Sequence, residues 1–201
     1  EKWEATWWNL SKDDVVEKEI RGYYLNKVPV PSLLTRSHLI SLSKLKTNSL
    51  SRITTSLKNQ FGCLPMVQKS VFHDHLAEVI VDANIAMLPY FCIVDGIIGM
   101  GGPQGPSYGV PIQANVVLAG YDPVAVAAAS ADFMGIRPST VKHICLAEKA
   151  GLGSSKFDRT SDPGITPTGF EIDQIYDLQL RLGRVLKKAQ RMLVRKGRDS
   201  S

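Results

Sequence analysis

Residues 41–62, "SLSKLKTNSLSRITTSLKNQFG", hold Lys44, Lys46, Arg52 and Lys58 among many hydroxyls and contain no acid; no Asp or Glu stands between Glu19 and Asp74. Ammonium groups beside hydroxyls are the chemistry of phosphate or carboxylate recognition, because both donate hydrogen bonds and one supplies charge. "HLISLSKLK" (38–46) reads as a strand, and the two-residue period puts Leu42, Lys44 and Lys46 on one face. Leu50, Ile53, Leu57 and Phe61 then form an apolar helical stripe, with Ser51, Thr55 and Lys58 on its flank and Gly62 and Pro65 as its stop. The unpaired amides and partial positive charge of a helix start would add to such an anion site. The competing reading has the same lysines paired with acids elsewhere or standing in water.

A second candidate is "GIIGMGGPQGPSYG" (96–109), with six glycines and two prolines. Glycine amides such as those of Gly101, Gly102 and Gly105 can approach an anion closely. The segment is no P-loop, since no GK[ST] follows, and it lacks the third glycine of a dinucleotide fingerprint. Asp95 ends the buried strand expected over 90–95, where α/β proteins place ligand chemistry, and is the candidate for acid/base, metal or hydroxyl contact. Asp122 before Pro123 reads as a helix N-cap. His73 and His75 flank Asp74 without a third ligand and read as a surface helix start.

The elements that must position these groups alternate. Strands are expected in the first 30 residues, including "ATWWNL", "VVEKEI" and "VPVP". After the lysine segment come a helix over 74–88, strands over 90–95 and 111–120, and helices over 122–135 and 138–151, with 152–169 as loop. A last helix from about 173 has an apolar stripe (Ile175, Leu178, Leu182, Val185, Leu186, Ala189, Leu193) and a basic opposite face. This order predicts an α/β domain over 1–172, a mixed sheet with helices packed on its faces, followed by a basic amphipathic helix and tail over 173–201.

Residues 181–198 alone carry eight Lys/Arg and no acid, more than the net charge of +5, so the remainder is net acidic and a nucleic-acid partner is not indicated. Residues 20–73 hold eight Lys/Arg and no acid, whereas 70–136 hold six acids and no Lys/Arg, so the two blocks must fold against each other. Cys63, Cys92 and Cys145 are too scattered for a zinc or iron–sulfur motif, and predict buried thiols in a reducing cytoplasmic setting. The apolar run 85–94 is about half of the ~20 residues a membrane span needs. No signal-peptide pattern is present, and the start at Glu1 inside a strand-like segment reads as a fragment.

"KLKTNSLSRITTSLKNQFGCLP", "FCIVDGIIGMGGPQGPSYGVP" and "LAGYDPVAVAAASADFMG" together resemble the family known as domain of unknown function (DUF) 362, over roughly residues 5–155. The resemblance implies an α/β domain, often found beside ferredoxin-type iron–sulfur modules, with no settled activity. It singles out Lys44, Lys46, Thr47, Thr54, Lys58, Asn59 and Gly62, then Asp95, Gly96, Gly99, Gly102, Gly105 and Pro106, then Asp122 and Pro123. Asn48 stands where the family pattern has His, and Ala127 where it has Asp, which puts any metal or proton-transfer role of those positions in question here. The family's N-terminal half has no counterpart, so the chain is expected to be its C-terminal part. The reading that results is an enzyme-like site for a small phosphate- or carboxylate-bearing anion. Lys44, Lys46, Thr47, Ser51, Thr55, Lys58, Asn59 and the amides of Gly101, Gly102 and Gly105 would hold the anion, with Asp95 as the reactive group. The other reading is a non-catalytic accessory module that docks a redox or iron–sulfur partner through the basic helix.

Overall fold

Buried and exposed side chains alternate along Ile40–Asn48, the signature of a strand with one covered face. In the computed structural model, which describes residues 4–66, 68–102, 109–157 and 170, this segment is the third strand in chain order. The elements are β1 (Val15–Glu19), β2 (Lys27–Pro31), α1 (Ser32–Thr35), β3 (Ile40–Asn48), β4 (Arg52–Thr54), α2 (Ser56–Asn59), α3 (Leu76–Ala86), β5 (Phe91–Gly101), β6 (Val110–Gly120), α4 (Pro123–Phe133) and α5 (Lys142–Lys149). β1 and β2 form an antiparallel ribbon, and the main sheet has the order β4-β3-β5-β6. Its central pair β3–β5 is parallel and both outer pairings are antiparallel, so the fold is α/β with a mixed sheet.

Helices α2 and α4 pack on the sheet, with α3 and α5 beside them. Leu45, Ile53, Cys92, Val94, Ile112 and Ala114 meet Leu57, Val79, Ile80, Ala127, Ala131, Ile144 and Ala147 in one core. The alanines of α4 allow the close approach expected of them. The opposite sheet face carries Leu42, 66% exposed, Val117, 56% exposed, and Ile40. Among the described residues the helices therefore cover one face, not both.

Two carboxylates of the acidic block act as anchors for backbone amides instead of partners for cations. Asp122 caps α4 as expected: Oδ1 accepts from the amides of Val124 (2.8 Å) and Ala125 (2.9 Å), and Oδ2 from that of Ser154 (2.8 Å). Gly153 is there because a Cβ would come within 2.7 Å of Asp122 Oδ2. Asp122→Ala is expected to cost about 1–2 kcal/mol, the usual worth of an N-cap, read as a lower midpoint in urea unfolding. Asp82, fully buried on α3, accepts from the amides of Tyr23 (2.6 Å), Tyr24 (2.9 Å) and Leu25 (2.7 Å) and so ties the β1–β2 turn to the helix.

Three expectations are corrected. "ATWWNL" forms no strand; Trp7 and Trp8 are exposed ahead of a 3-10 turn over Leu10–Lys12. No helix starts near Leu50, because Arg52–Thr54 pairs antiparallel with β3 and the helical turn begins only at Ser56. The Asn48 side chain closes the intervening turn, its Oδ1 accepting from the amides of Leu50 (3.1 Å) and Ser51 (3.0 Å), and Arg52 takes a left-handed φ of 69°. The third correction is that β5 does not end at Asp95 but continues to Gly101. Gly96 and Gly99 lie inside this strand because their neighbours leave no room for a side chain: a Cβ would come within 2.7 Å of Val116 Cγ1 at Gly96 and of Phe170 Cζ at Gly99. Gly105 and the helix expected from 173 lie outside the described residues.

Candidate anion site at the carboxyl end of the central strands

The carboxyl ends of the parallel strands β3 and β5 are where α/β sheets open to ligands. At that end of β3 stand Lys46, Thr47 and Asn48, and the short hairpin to β4 brings Ser51 back beside them. Ser51 Oγ donates to Asn48 Oδ1 (2.9 Å) or Ile53 O (2.8 Å), and accepts from Lys58 Nζ at 2.9 Å. Thr47 Oγ1 donates to Gly102 O (2.7 Å), which ties the end of β3 to the end of β5; Gly102 has φ 97°. Ser51 and Lys58, expected with Thr55 on one helix flank, are hydrogen-bonded across a hairpin and not along one helix.

The electrostatics of this cluster are unusual. Neither Lys46 nor Lys58 forms an ion pair with any described residue. Burial, followed by repulsion from Lys46, brings the Lys58 ammonium down from 10.5 to about 8. His143 on α5 is buried, and desolvation followed by the Lys58 charge lowers it from 6.5 to about 3, so it is neutral at ordinary pH. Its Nε2 has no hydrogen-bond partner, nor do the buried Arg52 Nε, Thr54 Oγ1 and Thr55 Oγ1. Buried polar atoms normally find partners. Lys58, with Lys46 as a neighbouring charge and no described carboxylate paired with either, gives this end of the sheet net positive charge.

Other expected site residues are placed elsewhere. Lys44 and Asp95 are register partners on neighbouring strands and form an ion pair on the open face of the sheet. Hydrogen bonding from Lys44 and from the Ile97 amide holds the Asp95 carboxyl below its ordinary range. Asn59 Nδ2 donates to Ser41 Oγ (3.0 Å) and Leu42 O (3.3 Å), so it staples α2 to β3. Gly101 is a buried strand residue paired with Val110. His75 stacks on Tyr24, with ring centroids 4.3 Å apart. Among the described residues no three His, Cys, Asp or Glu side chains gather as a metal site, and no helix is long and apolar enough to cross a membrane. The thiols differ from expectation at Cys145, which is exposed, while burial pushes the Cys92 thiol up to about 12.

The sequence reading missed His143. Its one signal was a shared helical face with Ala147, four residues on, which marks a buried position but not its neighbours. Asn48, where the family pattern has His, is the acceptor that shapes the hairpin, and Ala127, where it has Asp, is fully buried in the core.

A family model described as "Domain of unknown function (DUF362)" matches residues 1–132. A thylakoid-associated protein of Synechocystis is 29% identical over 129 residues, which cover 61% of this chain and 40% of that relative. The chain thus spans well under half of the relative's length. No solved structure matches it.

Proposed function

The chain belongs to the DUF362 family, and from that premise we propose that it binds a small phosphate- or carboxylate-bearing anion between Lys46, Lys58 and the β3–β4 hairpin. The observation that carries the reading is Lys58: its ammonium is largely withdrawn from water, repelled by Lys46, and donates to one hydroxyl and no carboxylate. An anion would supply the missing charge. Thr54, Thr55 and Arg52 would offer further donors. Lys44, already neutralised by Asp95, has a smaller part than the spacing on β3 suggested. Asp95, held ionised, is suited to orient a substrate hydroxyl and not to donate a proton.

Melting the protein in millimolar phosphate, sulfate, small carboxylates or nucleotides is expected to raise Tm with one of these classes, since a ligand of the folded state stabilises it by mass action. Lys58→Met is expected to melt cooperatively and lose the shift; Lys46→Ala is expected to weaken it. The pH dependence follows from the lowered Lys58. The folded protein sheds this proton near pH 8 and the unfolded chain near 10.5, so the burden of the buried ammonium is full below pH 8 and is relieved between 8 and 10.5. A bound anion holds the proton on. Binding above pH 8 is therefore expected to take up a proton and to weaken by up to about tenfold per pH unit. A cooperative melt that no anion moves would remove the proposal.

The second reading, an accessory module that docks a redox or iron–sulfur partner, draws on the open sheet face with Ile40, Leu42 and Val117. An apolar surface of this kind is a place for more protein. It would be favoured by partner capture that is lost when Leu42 is replaced by a charged residue and is indifferent to Lys58→Met.

A further inference from the structure

We propose that the open face of the main sheet is the docking site of this chain's own residues 173–193, laid as an amphipathic helix along β5. The inference does not depend on the anion site. Parallel strands are almost always covered on both faces. The central pair β3–β5 is parallel, yet the described helices cover one face only. The open face is apolar along its length. Ile40 and Leu42 on β3 and Val117 on β6 are exposed there. Tyr90, Phe91 and Tyr121 gather at the amino end of β5, with Tyr121 ring centroids 4.8 Å from Phe91 and 5.6 Å from Tyr90. Lys44 and Asp95, the charges at its centre, are paired with each other, so an apolar cover leaves neither alone.

The occupant follows from where Phe170 lies. Phe170 is buried, and its ring occupies the place a Gly99 side chain would take, two residues before the end of β5 at Gly101. Residues 171–201 continue from that point, so they set out from the carboxyl end of the sheet. Four extended residues reach about 13 Å, more than the ~10 Å between packed layers, so 171–174 suffice to round the strand end. As a helix, the stripe from Ile175 to Leu193 falls within about 100° of the circumference, with Arg184, Lys187, Lys188 and Arg191 opposite. Residues 175–193 would then span about 28 Å, against about 36 Å for the 11 residues of β5. The stripe therefore fits the face from the strand end to the aromatic group, while the basic side stays in water. The other face of the sheet already carries α2 and α4. In this arrangement a partner of the second reading meets the basic side of the helix and not the bare sheet.

Two measurements on the full chain test the docking. In hydrogen–deuterium exchange, amides of residues 178–189 are expected to exchange at least tenfold more slowly than in a synthetic peptide of residues 173–201. With the photo-crosslinker benzoylphenylalanine in place of Leu42 or Val117, irradiation is expected to join that position to peptides from 175–193 within one chain. Leu182→Asp combined with Leu186→Asp is expected to abolish both signals while the domain still melts cooperatively. Exchange of 178–189 at the peptide's rate in the natural chain would overturn the proposal without recourse to any variant. Slow exchange with no crosslink to this segment from either position would put the segment elsewhere, and crosslinks between two chains would give the face to a second copy. Either result also overturns it.

Discussion

Asp82→Ala is expected to cost about 3 kcal/mol or more of folding stability. The carboxylate is fully buried on α3 and receives three backbone N–H groups from Tyr23, Tyr24 and Leu25. Hydrogen bonds to a charged acceptor contribute about 1.5–3 kcal/mol each, and a buried donor left alone costs about 1–3 kcal/mol. Tyr23 and Tyr24 are partly exposed, so some of their amides can rehydrate, which holds the sum near the lower figure. Asp82→Asn should recover little, because one of its two terminal positions becomes a donor facing donors. Gly22→Ala attacks the same junction, since its Cβ would stand 2.7 Å from Asp82 Oδ1. The two substitutions share one contact, so their costs should add to less than the sum. Urea unfolding of both single variants and the double decides it. A loss below about 1 kcal/mol for Asp82→Ala would mean that water satisfies the turn and that the β1–β2 ribbon is held by its apolar contacts alone.

The second large effect is acid lability through His143. The unfolded chain binds a proton at this residue near pH 6.5 and the folded protein only near 3. Stability is therefore complete above 6.5 and falls as pH drops toward 3, by up to roughly 1.4 kcal/mol per pH unit. Glu78 and Asp95 also sit below their ordinary range, and they withdraw stability only at pH values where carboxyls protonate. The interval from 6.5 to about 4.5 thus isolates the histidine. Equilibrium unfolding at half-unit steps should show this slope in the natural chain and a flatter line in His143→Leu. A slope that survives the substitution would assign the acid sensitivity to another group. The same charge logic links the residue to the anion site: Lys58 helps to keep His143 neutral in the fold, so Lys58→Met should bring the folded His143 closer to its unfolded value and move acid unfolding to lower pH.

Much of the fold was legible in the residues. Alternation along 40–48, the run 111–120, the apolar helix ending near Ala86 and the Asp-Pro cap before the alanines each satisfy local rules, and each element forms. The family was legible in three ordered motif blocks. What misled was composition read without neighbours. Leu50, Ile53, Leu57 and Phe61 keep helical spacing, yet Ile53 belongs to a strand, because Asn48 closes a turn that sends the chain back along β3. Glycines at 96 and 99 suggested a loop and are strand residues made small by Leu45, Val116 and Phe170.

Most helices and strands, the family and the concentration of cations and hydroxyls around β3 could be read from the residues, because propensity, periodicity and capping act between near neighbours in the chain. Tertiary structure alone decided which charges are spent. The parallel register of β3 and β5 sets Asp95 beside Lys44 and cancels both, while Lys58 turns inward toward Lys46 and His143 with no acid opposite. That difference arises from contacts across 51 residues in one case and from burial in the other, and neither quantity is written in local sequence.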